Sequence, residues 1–489
     1  MEININKIPK EIIFISQTLE NAGFEAFLVG GCVRDMLLDK KPNDWDITTN
    51  AKPEQIVSLF PHTFYENDFG TVGVVNDDTD DQSLKKIEIT PYRLEGKYSD
   101  NRRPDEVIFT DNIDDDLKRR DFTINAMAWS LSSGLYDPHF GLKDCKEGII
   151  QAVGLPNERF SEDALRILRA VRFYSQLGFV VSHETERAIL ENGHLLENIS
   201  KERIRDEFVK IIMSDMPMEG IMLLKKLNIL QYIVPELLDG VGVEQNKAHS
   251  FDVFEHLLRS LAHSANKKYP LEIRLASLFH DISKPETRRM GEGGQWTFYG
   301  HEVLGAKKTK KILQNLKFSS DIVSKVEKLV RWHMFFSDTE QITLSAVRRM
   351  IANVGREEIW DLMNLRICDR IGTGRPKEDP YRLRKYHSMI EEALRDPISV
   401  SMLKIDGNFM IKDLKIPAGP KIGAILSALL DEVLEDPTKN TQQYLENRAK
   451  ELSSLSYDEV YSMGQKGRVN MQKKEEEELL KIRKKHFVK

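Results

Sequence analysis

A glycine pair followed, one short helix later, by two aspartates one residue apart constrains this chain more than any other feature. The stretch Phe27-Leu-Val-Gly-Gly-Cys-Val-Arg34-Asp35-Met-Leu-Leu38 reads as a strand, a tight turn at Gly30-Gly31 and an amphipathic helix. After five intervening residues comes Asp44-Trp45-Asp46-Ile47-Thr48. In a strand, side chains two apart share a face, so both carboxylates can grip the same hard cations. Backbone amides opening the preceding helix suit a polyphosphate. A phosphate cradle beside paired carboxylates is what Mg²⁺-dependent phosphoryl or nucleotidyl transfer requires. Taken alone, the pair fits a helix-to-strand turn with surface acids equally well.

At 489 residues the chain exceeds one ordinary core, and roughly three or four modules are expected. Its net charge is −6, so nucleic-acid binding must rely on local basic patches. Cys32, Cys145 and Cys368 lack metal-like spacing and point to reduced thiols. The N-terminus carries no signal-peptide pattern, and no apolar run approaches the ~20 residues of a membrane span. A soluble cytoplasmic protein with no membrane partner is expected. Residues 1–148 mix helix and strand patterns, with Phe69-Gly-Thr-Val-Gly-Val-Val75 and Lys86-Ile-Glu-Ile-Thr90 reading as paired strands. From about residue 155 strand signals almost vanish. Helical periodicity takes over, as in 163–177 and 201–213.

Further polar residues cluster around the aspartate pair. Glu88 alternates with Ile87 and Ile89, so it can add a third carboxylate on the Asp44/Asp46 side, or merely face outward. The glycine-bearing stretch 93–104 reads as a mobile loop. Arg119-Arg120-Asp121 then opens an apolar helix, setting cations and a capping carboxylate beside Asn125, whose amide can bond ribose hydroxyls. Arg166, Arg169 and Arg172 recur at helical spacing along one face.

Gly30-Gly31-x-x-Arg34-Asp35, Asp44-x-Asp46, Arg119-Arg120-Asp121-Phe-Thr-Ile-Asn125-Ala and Glu162-Asp163-x-x-Arg166 resemble, in order, the motifs of bacterial (class II) tRNA nucleotidyltransferases and bacterial poly(A) polymerases. Ile199-Ser-Lys-Glu202-Arg203-Ile-Arg205-Asp-Glu207 is similar to the family's last neck motif. The resemblance implies an α+β architecture: a catalytic head with a small mixed sheet (1–148), then an all-α neck and start of the body (149–245), a further helical domain (246–375) and a tRNA-binding tail (376–489). It implies that Gly31 and Arg34 bind the triphosphate and that Asp44 and Asp46 hold Mg²⁺, to which Glu88, by its place in the strand, could add catalytic support. It assigns Arg120, Asp163, Arg166, Arg169 and Arg172 to the incoming nucleotide. Physics supports base reading by Asp163 and Arg166. Cytosine and adenine both present an amino donor beside a ring-nitrogen acceptor, matching a carboxylate and a guanidinium. Guanine and uracil reverse that polarity and leave both protein groups unpaired. The implied activity is addition of CCA to the tRNA 3′ end from CTP and ATP.

Half of the twelve histidines fall between residues 249 and 369. His256, the His280-Asp281 pair and Asp369 resemble the ligand set of the HD phosphohydrolase superfamily, with His301 and His333 in the places of a second metal. Imidazole with carboxylate suits a transition metal better than Mg²⁺. The resemblance implies phosphatase or cyclic phosphodiesterase activity. Alternatives are an enzyme adding only the final A, a poly(A) polymerase, or a phosphohydrolase with a nucleotide-sensing head. The residues 98–104 argue against CC-only addition, and intact Asp44 and Asp46 argue against a dead head. The basic C-terminal stretch, with Lys481-Ile-Arg-Lys-Lys485, fits a solvated helix as well as RNA contact. Oligomeric state stays open.

Overall fold

The computed structural model describes residues 3–65, 70–96, 106–245, 250–291, 294–335, 342–394 and 400–463. Phe69, the loop positions 97–104, His249 and the basic C-terminal stretch lie outside the described residues. The chain forms two compact units, residues 1–238 with 313–318, and residues 239–312 with 319–489. Among the described residues no helix is long and apolar enough to cross a membrane. The α+β class expected from the sequence is what the structure contains.

The first unit is built on β1 (Phe27–Val29), β2 (Asp46–Thr49), β3 (Thr63–Tyr65), β4 (Val72–Val75) and β5 (Lys86–Pro91). A side hairpin, β6 (Arg93–Glu95) with β7 (Val107–Phe109), precedes β8 (Ala128–Ser130) and β9 (Gly134–Tyr136). Seven strands form one mixed sheet in the order β3-β4-β5-β2-β1-β8-β9. β2 and β5 run parallel, and the other neighbours are antiparallel. Ile47, Ile87 and Ile89 are fully buried under this centre. The expected pairing of the glycine-rich and isoleucine-rich strands is present as β4 against β5.

Three local expectations are corrected. Asp44 lies in an exposed bend, and β2 begins only at Asp46, where the chain meets Glu88 in register. Arg119-Arg120-Asp121 opens not a helix but a 3₁₀ turn, Thr123–Asn125, and then β8. β8 is buried on both faces, and such a strand lacks the alternation that would separate it from a buried helix. The helix expected from residue 163 runs Leu165–Leu177, leaving Asp163 in extended backbone after the helix Pro156–Glu162. The neck helix Lys201–Ile212 packs on Leu165–Leu177 through buried Ile204, Phe208 and Ile211.

The second unit is helical. Val253–Asn266, Leu271–Phe279, Ser320–Trp332 and Ile359–Gly372 pack on one another, and His301–Asn315 begins at a site histidine. Pro420–Glu435 and Gln442–Ser453 share a separate core that includes Met410, Leu429, Val433 and Leu445.

Close backbone approach fixes the 3₁₀ turn. A Cβ on Gly141 would lie 2.2 Å from the Thr123 carbonyl oxygen and 2.8 Å from Met127 Cγ. Gly141→Ala is therefore expected to destabilise the first unit by about 1–3 kcal/mol, the usual range for overpacking. Urea unfolding checks this; an unchanged midpoint would show that the turn yields freely.

Candidate functional site

The head site starts at Gly30, whose φ of +77° is a left-handed conformation that favours glycine. A side chain there would also meet the Arg120 guanidinium, since a Cβ would lie 3.0 Å from Nη1. The turn leads into the helix Gly31–Leu37, which carries Arg34. Asp46 and Glu88 are register partners on the parallel pair β2/β5, so their side chains leave the same face. Glu88 receives Lys86 Nζ at 2.9 Å. Burial and then the Glu88 charge push the Asp46 carboxyl up to about 6, with Asp44 adding to them against Arg120 and Lys86. Asp46, crowded by Glu88, offers hard oxygen donors of the kind a divalent cation takes, although among the described residues Asp44, Asp46 and Glu88 do not all bring donor atoms within 4.8 Å of one another.

Arg120 is steered by a carboxylate with no side-chain exposure. Arg120 Nη2 donates to Asp116 Oδ2 at 3.1 Å, while Arg119 donates to Oδ1 through Nε at 2.9 Å and Nη2 at 2.6 Å. Burial would raise the Asp116 carboxyl, but Arg119 and Arg120 outweigh it and hold it below the ordinary range. Arg120 Nε is buried without a partner.

A second network links the turn to the neck. Arg34 places Nε and Nη2 on Asp35 Oδ1, at 2.9 and 2.7 Å, and Nη1 on Asn125 Oδ1 at 2.6 Å. Asn125 donates to Asp121 Oδ1 at 3.2 Å, and Arg169 Nε donates to Asp121 Oδ2 at 2.6 Å. Burial would raise Asp121, yet the charges of Arg169 and Arg166 and the Arg169 and Asn125 hydrogen bonds hold it near about 2. Arg172 Nη1 donates to buried Glu207 at 3.1 Å. Arg34, Arg169 and Arg172 stand 5.2, 5.6 and 4.4 Å from the centroid of the Phe173 ring. Burial and then the Arg169 charge lower Arg172 to about 10. Such a guanidinium cluster is an anion site.

Asp163 and Arg166 are each pre-set by different partners. Asp163 Oδ1 accepts the Leu165 amide at 3.1 Å, and Oδ2 accepts Arg203 Nη2 at 2.8 Å. Arg166 donates to Glu162 at 2.6 Å and to the carbonyls of Arg159 and Arg119 at 3.1 and 2.9 Å. Asp116 and Phe173 are not singled out by the sequence, and Arg203 and Glu207 enter there only as members of the neck motif. Asp116 is signalled by its i+3 and i+4 spacing to Arg119 and Arg120, and Glu207 by being an acid in an apolar helix stripe; Phe173 carries no signal.

In the second unit His256, His280, Asp281 and Asp369 bring one donor atom each within 4.8 Å of one another, as do Asp281, His301 and His333. Asp281 stands between the sets. Its Oδ2 lies 3.1 and 3.3 Å from His256 and His280 Nε2, and its Oδ1 lies 3.2 and 3.4 Å from His301 and His333 Nε2. His280, His301 and His333 each turn Nδ1 to a backbone carbonyl, of Ser277, Phe298 and Val330, at 3.0, 2.6 and 2.7 Å. With Nδ1 as donor, the neutral ring offers Nε2 as an acceptor. The Nε2 lone pairs of His301 and His333 then face a carboxylate, acceptor against acceptor, and both atoms are buried without a hydrogen-bond partner. A cation between them resolves this. Burial lowers His333 to about 4 and would lower His280, but Asp281 and Asp369 carry His280 up to about 9. Lys284 Nζ bridges Asp281 Oδ2 and Gln245 Oε1 at 2.6 and 2.7 Å, and Arg366 holds Asp369 at 2.6 Å.

Three family profiles match in sequence: the Poly A polymerase head domain over residues 26–151, the probable RNA and SrmB-binding site of polymerase A over 178–240, and the HD domain over 248–369. The CCA-adding enzyme of Lactobacillus helveticus (strain DPC 4571) is 33% identical over 459 residues, which span 92% of this chain and 100% of the relative. That of Lactiplantibacillus plantarum (strain ATCC BAA-793 / NCIMB 8826 / WCFS1) is 31% identical over 438 residues, 88% of this chain and 93% of the relative. The Bacillus stearothermophilus CCA-adding enzyme, solved in complex with CTP, shares the fold with a TM-score of 0.68 at 27% identity, covering 91% of this chain and 98% of that one. A polymerase-type head and an HD domain both imply dependence on divalent metal. With relatives matched along nearly its whole length, the chain belongs to the CCA-adding enzyme family and is a nucleotidyltransferase.

Proposed function

We propose that this chain adds C and A residues to the 3′ end of tRNA without a template, building CCA from CTP and ATP and releasing pyrophosphate. The observation that carries the reading is the side-by-side placement of Asp46 and Glu88 in β2 and β5, with Arg120 between that pair and the Gly30 turn. Asp44 and Asp46, supported by Glu88, would hold Mg²⁺. Bound there, the ions lower the pKa of the attacking 3′-hydroxyl and neutralise charge on the leaving group. Gly31, Arg34, Arg120, Arg169 and Arg172 bind and orient the triphosphate, and Asn125 fixes the ribose. Asp163 accepts from the exocyclic amino group and Arg166 donates to the ring nitrogen, which accepts C and A and refuses G and U. The three cysteines are unpaired and buried, in keeping with the cytoplasm, where tRNA is matured.

The test is extension of tRNAs ending before CCA, after C and after CC, with CTP and ATP supplied separately. The first two are expected to need CTP and the third ATP. Extension of the third substrate alone would mean A-only addition, and repeated ATP use without CTP would mean poly(A) synthesis. Asp46→Ala is expected to lower addition by at least a thousandfold with the fold retained; near-normal extension sinks the metal assignment.

The raised Asp46 carboxyl gives a pH signature. Its charged form is disfavoured on folding, so the contribution of this one group to the stability of the metal-free protein is most favourable below the unfolded value of 3.8 and is lost as pH rises through about 6. In EDTA at pH 8, Asp46→Asn is expected to be more stable than the parent by about 1–2 kcal/mol. That advantage should disappear toward pH 4, as read by urea unfolding. A pH-independent difference would show that the shift has another cause.

A second reading concerns the HD domain, favoured by the acceptor-against-acceptor geometry at Asp281. His256, His280, Asp281 and Asp369 would hold a transition metal, with His301 and His333 completing a second position, for phosphoester hydrolysis. Elemental analysis is expected to find such a metal, and chelation to remove hydrolysis of a 2′,3′-cyclic nucleotide while Mg²⁺-restored nucleotide addition persists. Neither metal nor hydrolysis would leave the cluster as a scaffold.

A further inference from the structure

We propose that Arg203 is the positioning residue that sets base selection, by locking the carboxylate of Asp163 in its reading orientation; the proposal rests on the assignment of Asp163 as a base reader. Asp163 needs such a lock. It belongs to neither flanking helix, and its backbone is extended, at φ −137° and ψ 103°. Two contacts hold its side chain: the Leu165 amide on Oδ1 and Arg203 Nη2 on Oδ2. The amide fixes one oxygen, but the carboxylate could still swing about that bond. The guanidinium on the other oxygen removes this freedom. A carboxylate accepts about four hydrogen bonds, so each oxygen keeps a free acceptor position for an exocyclic amino group.

Arg203 is well mounted for this task. It sits in the first turn of Lys201–Ile212, whose register against Leu165–Leu177 is set by buried Ile204, Phe208 and Ile211. Its charge also offsets the repulsion that a bound triphosphate would exert on Asp163. Arg203 Nη1 is buried with no partner. Buried donors are seldom left so, and an unspent donor beside the base reader is what a site completed by its ligand contains. Removing Arg203 leaves Asp163 able to rotate, so that either a donor or an acceptor on the incoming base can be accommodated, through water or a shifted base. Discrimination then falls while the triphosphate contacts persist.

The experiment compares kcat/KM for CTP and for UTP on a tRNA ending before CCA, in the parent enzyme, Arg203→Met, Arg203→Lys and Asp163→Ala. Arg203→Met keeps most of the side-chain stem and removes donor and charge. The CTP-to-UTP ratio is expected to fall at least tenfold in Arg203→Met, chiefly through a raised KM for CTP, and about threefold in Arg203→Lys. A merely structural ion pair would lower both nucleotides together and leave the ratio at its parent value. That result overturns the proposal. If Asp163→Ala also keeps the parent ratio, it is the base-reading assignment that fails; if Asp163→Ala loses the ratio and the Arg203 variants keep it, the role of Arg203 alone falls. Should Arg203→Met not fold, Arg203→Lys decides on the same criterion.

Discussion

The parallel pairing of β2 with β5 places Asp46 and Glu88 side by side at the centre of the sheet, and the head is arranged around that repulsion. In a parallel pair, register partners point the same way, so the two negative groups cannot avoid each other without slipping the strands. A one-residue slip of β2 would turn Ile47 out of the core, and one of β5 would turn out Ile87 and Ile89. The hydrophobic register therefore enforces the electrostatic strain, which shows in the raised Asp46 carboxyl. Arg120 eases it without removing it, because Arg120 is itself shared with Asp116. The proposed cation site would thus be an outcome of core packing: burial holds Asp46 and Glu88 together, and partial neutralisation leaves the attraction unspent.

The same division recurs between head and neck, where the cations proposed to bind the nucleotide have protein anions behind them. Asp35 stands behind Arg34, Asp121 behind Arg169, Glu207 behind Arg172 and Glu162 behind Arg166. Guanidinium groups held in this way have already lost their rotamer freedom before a triphosphate arrives, so binding does not bear that cost. Phe173 lets three of them converge, because a ring face lowers the energy of a nearby cation. Asp163 shows the converse, an anion backed by the cation Arg203.

What was legible in the sequence follows from range. Gly30-Gly31, Asp44-x-Asp46 and the arginine spacing are local patterns, and their chemistry could be read because each motif lies within one turn or strand. Asp44 was misplaced by the same reasoning: alternation presumes that the strand has begun, and pairing with β5 starts only at Asp46. β8 was read as helix because a strand buried on both faces carries no period of two. Gln245 on Lys284, Arg203 on Asp163 and Phe173 beneath three arginines are contacts between distant segments, and no spacing announces them. Family resemblance pointed to the candidate site residues; it did not say what holds them.

The HD domain solves the head's problem with different chemistry. In the head, oxygen donors are crowded until a hard cation is favoured; at Asp281, imidazoles are oriented from behind by carbonyls until their lone pairs oppose a carboxylate. In the metal-free state His280 takes up a proton near Asp281 and Asp369, while His333 is kept neutral by burial. That proton sits beside His256 and Asp369, whereas His333, on the other oxygen of Asp281, is held neutral. The lone bridging carboxylate couples the two sets: a cation held by Asp281 with His301 and His333 would withdraw charge from that carboxylate and weaken its hold on the His280 proton.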